Sequence, residues 1–563
     1  MPDVLLLFSL GPVQGFLAEA RRSQDLWVSS KWLSDLTRAA IRSCQYVGAK
    51  VIYPANPEQP SLPNKFVARL PEAVLQQAIA AATTAAQQEL EDHAKKAKEF
   101  LQKAGAPTDA IWEEIWQRQI EHHLEFFWSA NRIKNGNYES AYEMANRTFE
   151  AAKRTRVFAQ VQEDGWKDSL SGRRSALRTG NLMPREYWQA VATSGQVTPA
   201  QLKPDGRERL DALGATKRFG FSKEAEHFPS VSSVAAADFL ERAGHLLEPY
   251  CRILEQIPRI YKIRVDKNWP YDGDLLFIET LAPERLKDSY AFDDEDLGRY
   301  ATHLKIAHQT LTSIYKLVGK PIPYYALLVL DGDNMGKRVA ACANEEEHAA
   351  LSQQLVAFAG EAQRIVKEHM GQAIYAGGDD VLALLPLSLV LPAAQTLADT
   401  FAKTVPGGTV SAGVAIVHHL YPLDAALRAS REAEQRAKDM RDKNAVCVRV
   451  LKRSGEPMEV RSYWVDLSTS LFEDLCRWFA DGAISSRFAY EAANNLPILK
   501  GEPARSELKR LIQRHRDKAK INPPDPILLS SRLDAWMKNL PGGAEELAGW
   551  FLLACFVAQG GSE

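Results

Sequence analysis

Apolar residues along the chain fall into short unbroken runs and into longer stretches with helical spacing. Residues 4–9 form one such run, ended by Gly11-Pro12, which predicts a buried strand. A helix carrying Phe16, Ala20, Trp27 and Leu33 is expected next. Residues 53–64 are proline-rich and read as a loop. From about 71 to 155, Ala, Gln, Glu and Lys dominate and predict a long helical excursion. Helices are expected again over 234–256 and 294–318. At Pro321 the pattern changes. Residues 325–330 are an apolar run ending in Asp331, and 345–369 have helical spacing. Two strands, 373–376 and 381–385, flank the turn Gly377-Gly378-Asp379-Asp380. Residues 409–417 predict a further strand. Pro422 opens a helix with Leu423, Leu427, Ala433, Ala437 and Met440 on one face, and 445–450 closes as a fifth strand. A β-α-β-β-α-β order is the ferredoxin-like arrangement. From about 462 the chain reads as helical to its end, where the apolar stretch 547–558 is too short to span a bilayer and suits a core helix.

The strand, turn and helix at the N-terminus echo those around Asp331, which suggests two such units. The fold class expected is therefore α+β and multidomain: two ferredoxin-like domains with interleaved and C-terminal helical domains. Boundaries are placed at 1–165, 166–320, 321–455 and 456–563. A length of 563 residues fits this division. Net charge is −2, so contact with nucleic acid needs local patches. Two basic segments qualify, 153–223 (Lys153, Arg154, Arg156, Arg173, Arg174, Arg207, Arg209, Lys217, Arg218) and 505–520, each readable instead as a solvated helix face. The six cysteines include no pair within four residues, which argues against a disulfide framework or a cysteine zinc site. With no basic segment ahead of the first apolar run, no signal peptide is expected and the cytoplasm is the expected location.

The candidate chemistry is a carboxylate set. Asp331 and Asp333 lie at the end of one strand, and Asp379 and Asp380 lie in the hairpin of its expected neighbour. Mg²⁺ prefers such oxygens, usually one or two carboxylates plus phosphates and water. A pair of metals about 4 Å apart activates a hydroxyl and steadies a pyrophosphate leaving group. Gly377 and Gly378 permit the tight turn and a close nucleotide. Asn334, Met335, Gly336 and Lys337 follow at a strand-to-helix junction suited to a triphosphate, and Lys438 adds a charge. A plain surface hairpin is the competing reading of the tetrapeptide.

Several segments taken together resemble the large palm-domain (cyclase/polymerase) subunit of type III-B CRISPR RNA-guided effector complexes. They are Phe8 to Gln14 (FSLGPVQ), Asp25 to Ser30 (DLWVSS), Phe228 to Ser232 with Ala235 to Asp238, Asp272 to Leu276, the Asp331 and Gly377 motifs, and Ser411 to His419. The resemblance implies two facing palms, association with other subunits, guide RNA and complementary target RNA, and no membrane. It implies metal-dependent 3′–5′ nucleotidyl transfer from ATP, giving a cyclic oligoadenylate or a related AMP conjugate. Asp331, Asp379 and Asp380 would hold Mg²⁺ or Mn²⁺, with Asp379 and Asp380 catalytic. Gln14, Asp25, Trp27 and Ser30 would hold a second ATP. A catalytically silent scaffold is the alternative; the acid set argues against it. A stand-alone diguanylate-type cyclase is disfavoured by two palms in one chain.

Two departures from that family stand out. No histidine is followed by Asp, so the His-Asp nuclease dyad is missing, and the chain reads as a variant without that domain or its DNase activity. Where relatives carry zinc-knuckle cysteines, this chain has Asp168, Ser171, Asp211 and Gly214. These are poor zinc ligands, so no zinc is expected and the knuckle should hold by packing.

Overall fold

The structure, a computed structural model, describes residues 2–155, 163–198, 201–221, 228–263, 269–453, 455–516 and 524–561. Two antiparallel ferredoxin-like cores organise it. In the first, β1 (Asp3–Gly11), β2 (Lys50–Tyr53), β3 (Lys65–Pro71) and β4 (Glu125–Arg132) pair in the order β2-β3-β1-β4. Helices Ser23–Tyr46 and Leu75–Lys103 make the two crossovers. β1 is central, so both its faces are buried: Val4, Leu6, Phe8 and Leu10 enter one core, while Leu5 and Leu7 enter another with Tyr138, Tyr142 and Phe149. This two-residue alternation between two cores explains why β1 reads as an unbroken apolar run.

The second sheet has six strands in the order β10-β9-β8-β5-β7-β6. They are β5 (Tyr324–Gly332), β6 (Gln372–Gly377), β7 (Asp380–Pro386), β8 (Val410–His418), β9 (Ala445–Leu451) and β10 (Met458–Tyr463). β5 repeats the logic of β1, sending Tyr324, Ala326, Leu328 and Leu330 to one core and Tyr325 and Leu327 to another. Helices Glu345–Glu368 and Val390–Thr404 complete the ferredoxin-like unit, and Leu423–Lys438 connects β8 to its parallel neighbour β9. The two units meet at helix Glu345–Glu368, where Glu345 pairs with Lys50 and Arg69 of the first sheet and His348 shares a 2.6 Å hydrogen bond with Tyr138.

Several expectations need correction. The helix expected across 16–33 is two helices, Gln14–Ala18 and Ser23–Tyr46. The stretch 71–155 is not purely helical, because β4 lies within it and pairs with β1 from Val4↔Arg132 to Gly11↔Glu125. β2 and β3 flank the segment read as loop. Helix Val390–Thr404 went unread, although Pro392 is tolerated in a first helical turn. β10 ends at Tyr463, where helix was expected. Helices Thr469–Ala480 to Ala544–Ala558 share the core on one face of the second sheet. Leu170, Leu177, Trp188, Leu202, Leu213 and Phe219 share the core of the first sheet. Among the described residues no single helix is long and apolar enough to cross a membrane; the pair Pro526–Asn539 and Ala544–Ala558 meets that test jointly but bends by 120°.

Candidate metal centre

Strand register brings the acids together. Gly377 pairs with Asp380 across a two-residue turn in which Gly378 has φ +71°, and Leu330 pairs with Val381. Asp331, one residue beyond Leu330, therefore lies beside Asp380. One carboxylate oxygen from each of Asp331, Asp379 and Asp380 falls within a 4.8 Å cluster. Gly332 makes this possible: a Cβ there would stand 2.7 Å from the Asp379 Cβ and 2.6 Å from the Met335 Cγ. Tyr53, from β2 of the first sheet, reaches the same turn, its hydroxyl 3.1 Å from where a Gly378 Cβ would be.

The negative charge of the cluster is only partly compensated. Burial pushes the Asp379 carboxyl up to about 6. Burial also raises Asp380 well above the usual range, with the charges of Asp379 and Glu434 adding to it and that of Arg431 opposing it. Neither has an ion pair among the described residues. Lys438 touches the Asp331 carboxylate and lies 2.8 Å from Glu434. Burial, helped by Lys443, lowers Lys438 to about 8. Gly413 sets the distance of this helix, since a Cβ there would strike the backbone of Ser430 and Glu434 at 2.1 Å. Burial raises Glu434 to about 6, with Asp333 contributing. Arg431, on the same helix face, has no ion pair among the described residues. Three clustered carboxylates, two of them without an ion pair among the described residues, suit a hard divalent cation.

These groups open into a cavity of about 1000 Å³ between the sheets. Asp331, Asp380, Arg431, Glu434 and Lys438 line one side; Gln14, Ser30, Lys153, Arg173 and Arg174 line the other. Other expected site residues lie elsewhere. Asp333 is turned into the fold, accepting from Thr409 Oγ1 (2.9 Å), Ser411 Oγ (2.8 Å) and the Asn444 N–H (3.0 Å). These bonds tie the end of β5 to β8 and to the start of β9. Asn334, at φ +57°, accepts from Lys443 at 3.2 Å and opens a six-residue helix, Met335–Ala340. Met335 is buried, Gly336 and Lys337 are exposed, and none of residues 334–337 lines the cavity. Asp25 is buried in a two-point ion pair with Arg218, at 2.8 and 2.7 Å. Trp27 stacks on Phe228 at 5.4 Å beside a neighbouring groove. Sequence reasoning missed Tyr53, Arg431 and Glu434. The last two were findable, standing seven and four residues before Lys438 on one helix face.

The positions matching knuckle cysteines form a polar clasp. Asp168 accepts from the Leu170 and Ser171 N–H groups at 2.8 and 2.6 Å. Asp211 caps helix Ala212–Phe219 through the Gly214 N–H at 2.6 Å. Arg174 joins Asp211 to Glu19, the latter at 2.6 Å. Hydrogen bonds and ion pairs thus join the two loops, where packing alone was expected. The same network takes Arg174, Lys217 and Arg218 out of the basic segment 153–223 as free docking charges. In the second basic segment Arg505 pairs with Asp534 and Arg510 with Glu507. Arg156 and residues 517–520 lie outside the described residues.

Residues 324–447 match the family described as Cas10/Cmr2, second palm domain. Residues 5–106 match CRISPR-associated protein Cmr2, N-terminal. The CRISPR system Cmr subunit Cmr2 of Pyrococcus furiosus is 32% identical over 238 residues, a match covering 36% of this chain but only 26% of that relative's length. Among solved structures, a chain of the type III-B Cmr-beta complex in its apo state has a TM-score of 0.65 at 13% identity, covering 100% of this chain and 82% of that one. The corresponding chain bound to cognate target RNA has a TM-score of 0.67 at 13% identity, covering 99% and 83%. At such identity the likeness is one of fold, and it runs the length of the chain.

Proposed function

We propose, for a chain whose residues 324–447 and 5–106 match Cas10/Cmr2 family models, that the cavity between the sheets converts ATP to a nucleotide messenger. The product class is a cyclic oligoadenylate or a related AMP conjugate. The observation that carries this reading is the three-carboxylate cluster at the mouth of a cavity lined by both palms.

Asp331, Asp379 and Asp380 would hold Mg²⁺ or Mn²⁺. The bound ion supplies Lewis acidity at the reacting phosphate and at the leaving oxygen. In the reaction a 3′-hydroxyl gives up its proton to solvent, its oxygen bonds to an α-phosphorus, the bond from that phosphorus to the oxygen bridging it to the β-phosphate breaks, and pyrophosphate leaves. Lys438 and Arg431 place two cations along one wall, where the phosphate charge needs support. Gln14 and Ser30 offer polar contacts on the facing wall for the second nucleotide. Asp333 holds the end of β5, and so Asp331, in register with β8 through its three hydrogen bonds. Asp25 acts at one remove by clamping helix Ser23–Tyr46, which carries Ser30, to Arg218.

In this reading the chain is the large subunit of a type III-B effector complex, working with further subunits, a guide RNA and a complementary target RNA. Incubating the assembled complex with target RNA, ATP and Mg²⁺ or Mn²⁺, then identifying products by mass spectrometry, tests it. Asp379→Ala with Asp380→Ala should abolish the product and leave RNA binding unchanged. Product persisting in that variant would remove the site assignment.

A further inference from the structure

A second cavity, of about 690 Å³, opens where the middle helices, the second sheet and the C-terminal helix meet, and it shares no residue with the first. Four cations line it, Arg242, Arg285, Lys320 and Arg453, against one acid, Glu279. They come from four separate segments of the chain. None has an ion pair among the described residues. Arg242 donates to the carbonyls of Val318 (3.2 Å) and Lys320 (3.4 Å), which fixes the segment presenting Lys320.

The floor is a histidine pair at the end of β8. His419 stacks on Phe277 at 4.2 Å and shares a 2.8 Å hydrogen bond with Ser232. His418 packs against Tyr324 and accepts from the Leu420 N–H at 3.1 Å. Both rings are buried. Burial lowers His418 to about 4 and His419 to about 3, and Arg285 and Arg453 push both further down, opposed at His418 by Glu279. Two guanidinium groups therefore face the same neutral imidazole pair. A chain of net charge −2 has gathered a local excess of positive charge over a floor that cannot neutralise it. Converging guanidinium groups without carboxylate partners match the bidentate geometry of phosphate oxygens, and the volume is that of a mononucleotide site.

We propose that this cavity is a second anion site, taking the phosphate group of a nucleotide or of an RNA backbone, separate from the metal centre. It does not depend on the palm chemistry. The purified full chain is titrated with inorganic pyrophosphate and AMP in one arm, and with a short single-stranded RNA lacking terminal phosphates in the other. Arg285→Glu with Arg453→Glu should weaken at least one arm about tenfold or more, the loss expected for one or two charge-assisted contacts. Arg285→Gln with Arg453→Gln should reproduce the loss without reversing charge. Arg364→Glu, at an exposed arginine paired with Glu361 and Glu368, should leave both arms unchanged. Loss in the pyrophosphate and AMP arm alone identifies a small nucleotide ligand. Loss in the RNA arm alone identifies the phosphodiester backbone. Wild-type affinity in both arms for either arginine double variant overturns the proposal, and so does an equal loss in Arg364→Glu.

Discussion

Replacing Asp379 with Asn should stabilise the metal-free protein. Burial raises the Asp379 carboxyl from 3.8 to about 6, so the folded state holds its proton more tightly than the unfolded chain does. The associated stability is fully present below pH 3.8 and is lost as pH rises through about 6. At neutral pH the ionised carboxylate therefore costs the fold about 2 pH units at about 1.4 kcal/mol each, or about 3 kcal/mol. Solvent reaching this half-buried side chain reduces the figure to about 1–2 kcal/mol. The assay is the unfolding midpoint of wild type and Asp379→Asn with a chelator present, at pH 7.5 and at pH 4. The variant should melt a few degrees higher at pH 7.5 and level with wild type at pH 4. With Mg²⁺ or Mn²⁺ in excess the order should reverse, because a ligand has been lost. No gain in chelator at pH 7.5, or an equal gain at pH 4, would refute the reasoning that burial strains this carboxylate.

Three further substitutions test the surrounding architecture. Gly332→Ala should lower product formation about 100-fold while moving the unfolding midpoint little, because the new Cβ pushes directly on Asp379. A loss of activity that merely tracks a loss of fold would count against it. Lys438 titrates near 8, so its charge, and the rate with it, should fade as pH rises through that value. Lys438→Arg should carry activity to higher pH, and identical profiles would deny it a cationic role. Arg218→Met leaves Asp25 buried and unpaired and should destabilise the protein by about 3–5 kcal/mol. Asp25→Asn added to it should recover part of that loss in denaturant melts, and a double variant as unstable as the sum of the singles would show the two residues to be uncoupled.

Legibility in the sequence followed local geometry. β1 and β5 are buried on both faces, so their apolar runs were plain, and the turn at Gly377-Gly378 between β6 and β7 carried its own turn chemistry. β2 is a four-residue edge strand, and β4 (EFFWSANR) alternates too weakly to stand out beside the helical stretches around it. Their positions are fixed by pairing with β3 and β1, a long-range fact no local window contains. The same applies at the site. Asp331, Asp379 and Asp380 were recognisable because strand ends and hairpin turns are local features. Asp25 was misplaced because its partner, Arg218, lies 193 residues away. Asp333 looks like Asp331 in sequence, yet it lies one residue past the end of β5, where the chain turns into the fold and Thr409, Ser411 and Asn444 satisfy it. Tyr53 reaches the Gly377-Gly378 turn of the carboxylate cluster only because the first ferredoxin-like unit packs on the second.

The fate of the ATP phosphates tests the central claim most directly. The assembled complex, activated by target RNA in the presence of Mn²⁺, is supplied in parallel with ATP labelled at the α- or the γ-phosphate. Nucleotidyl transfer predicts that the α-label enters a product resistant to phosphatase while the γ-label leaves as pyrophosphate, and that both events vanish in Asp379→Ala with Asp380→Ala. Release of the γ-label as inorganic phosphate with ADP left behind, or no change in either label, would contradict the account.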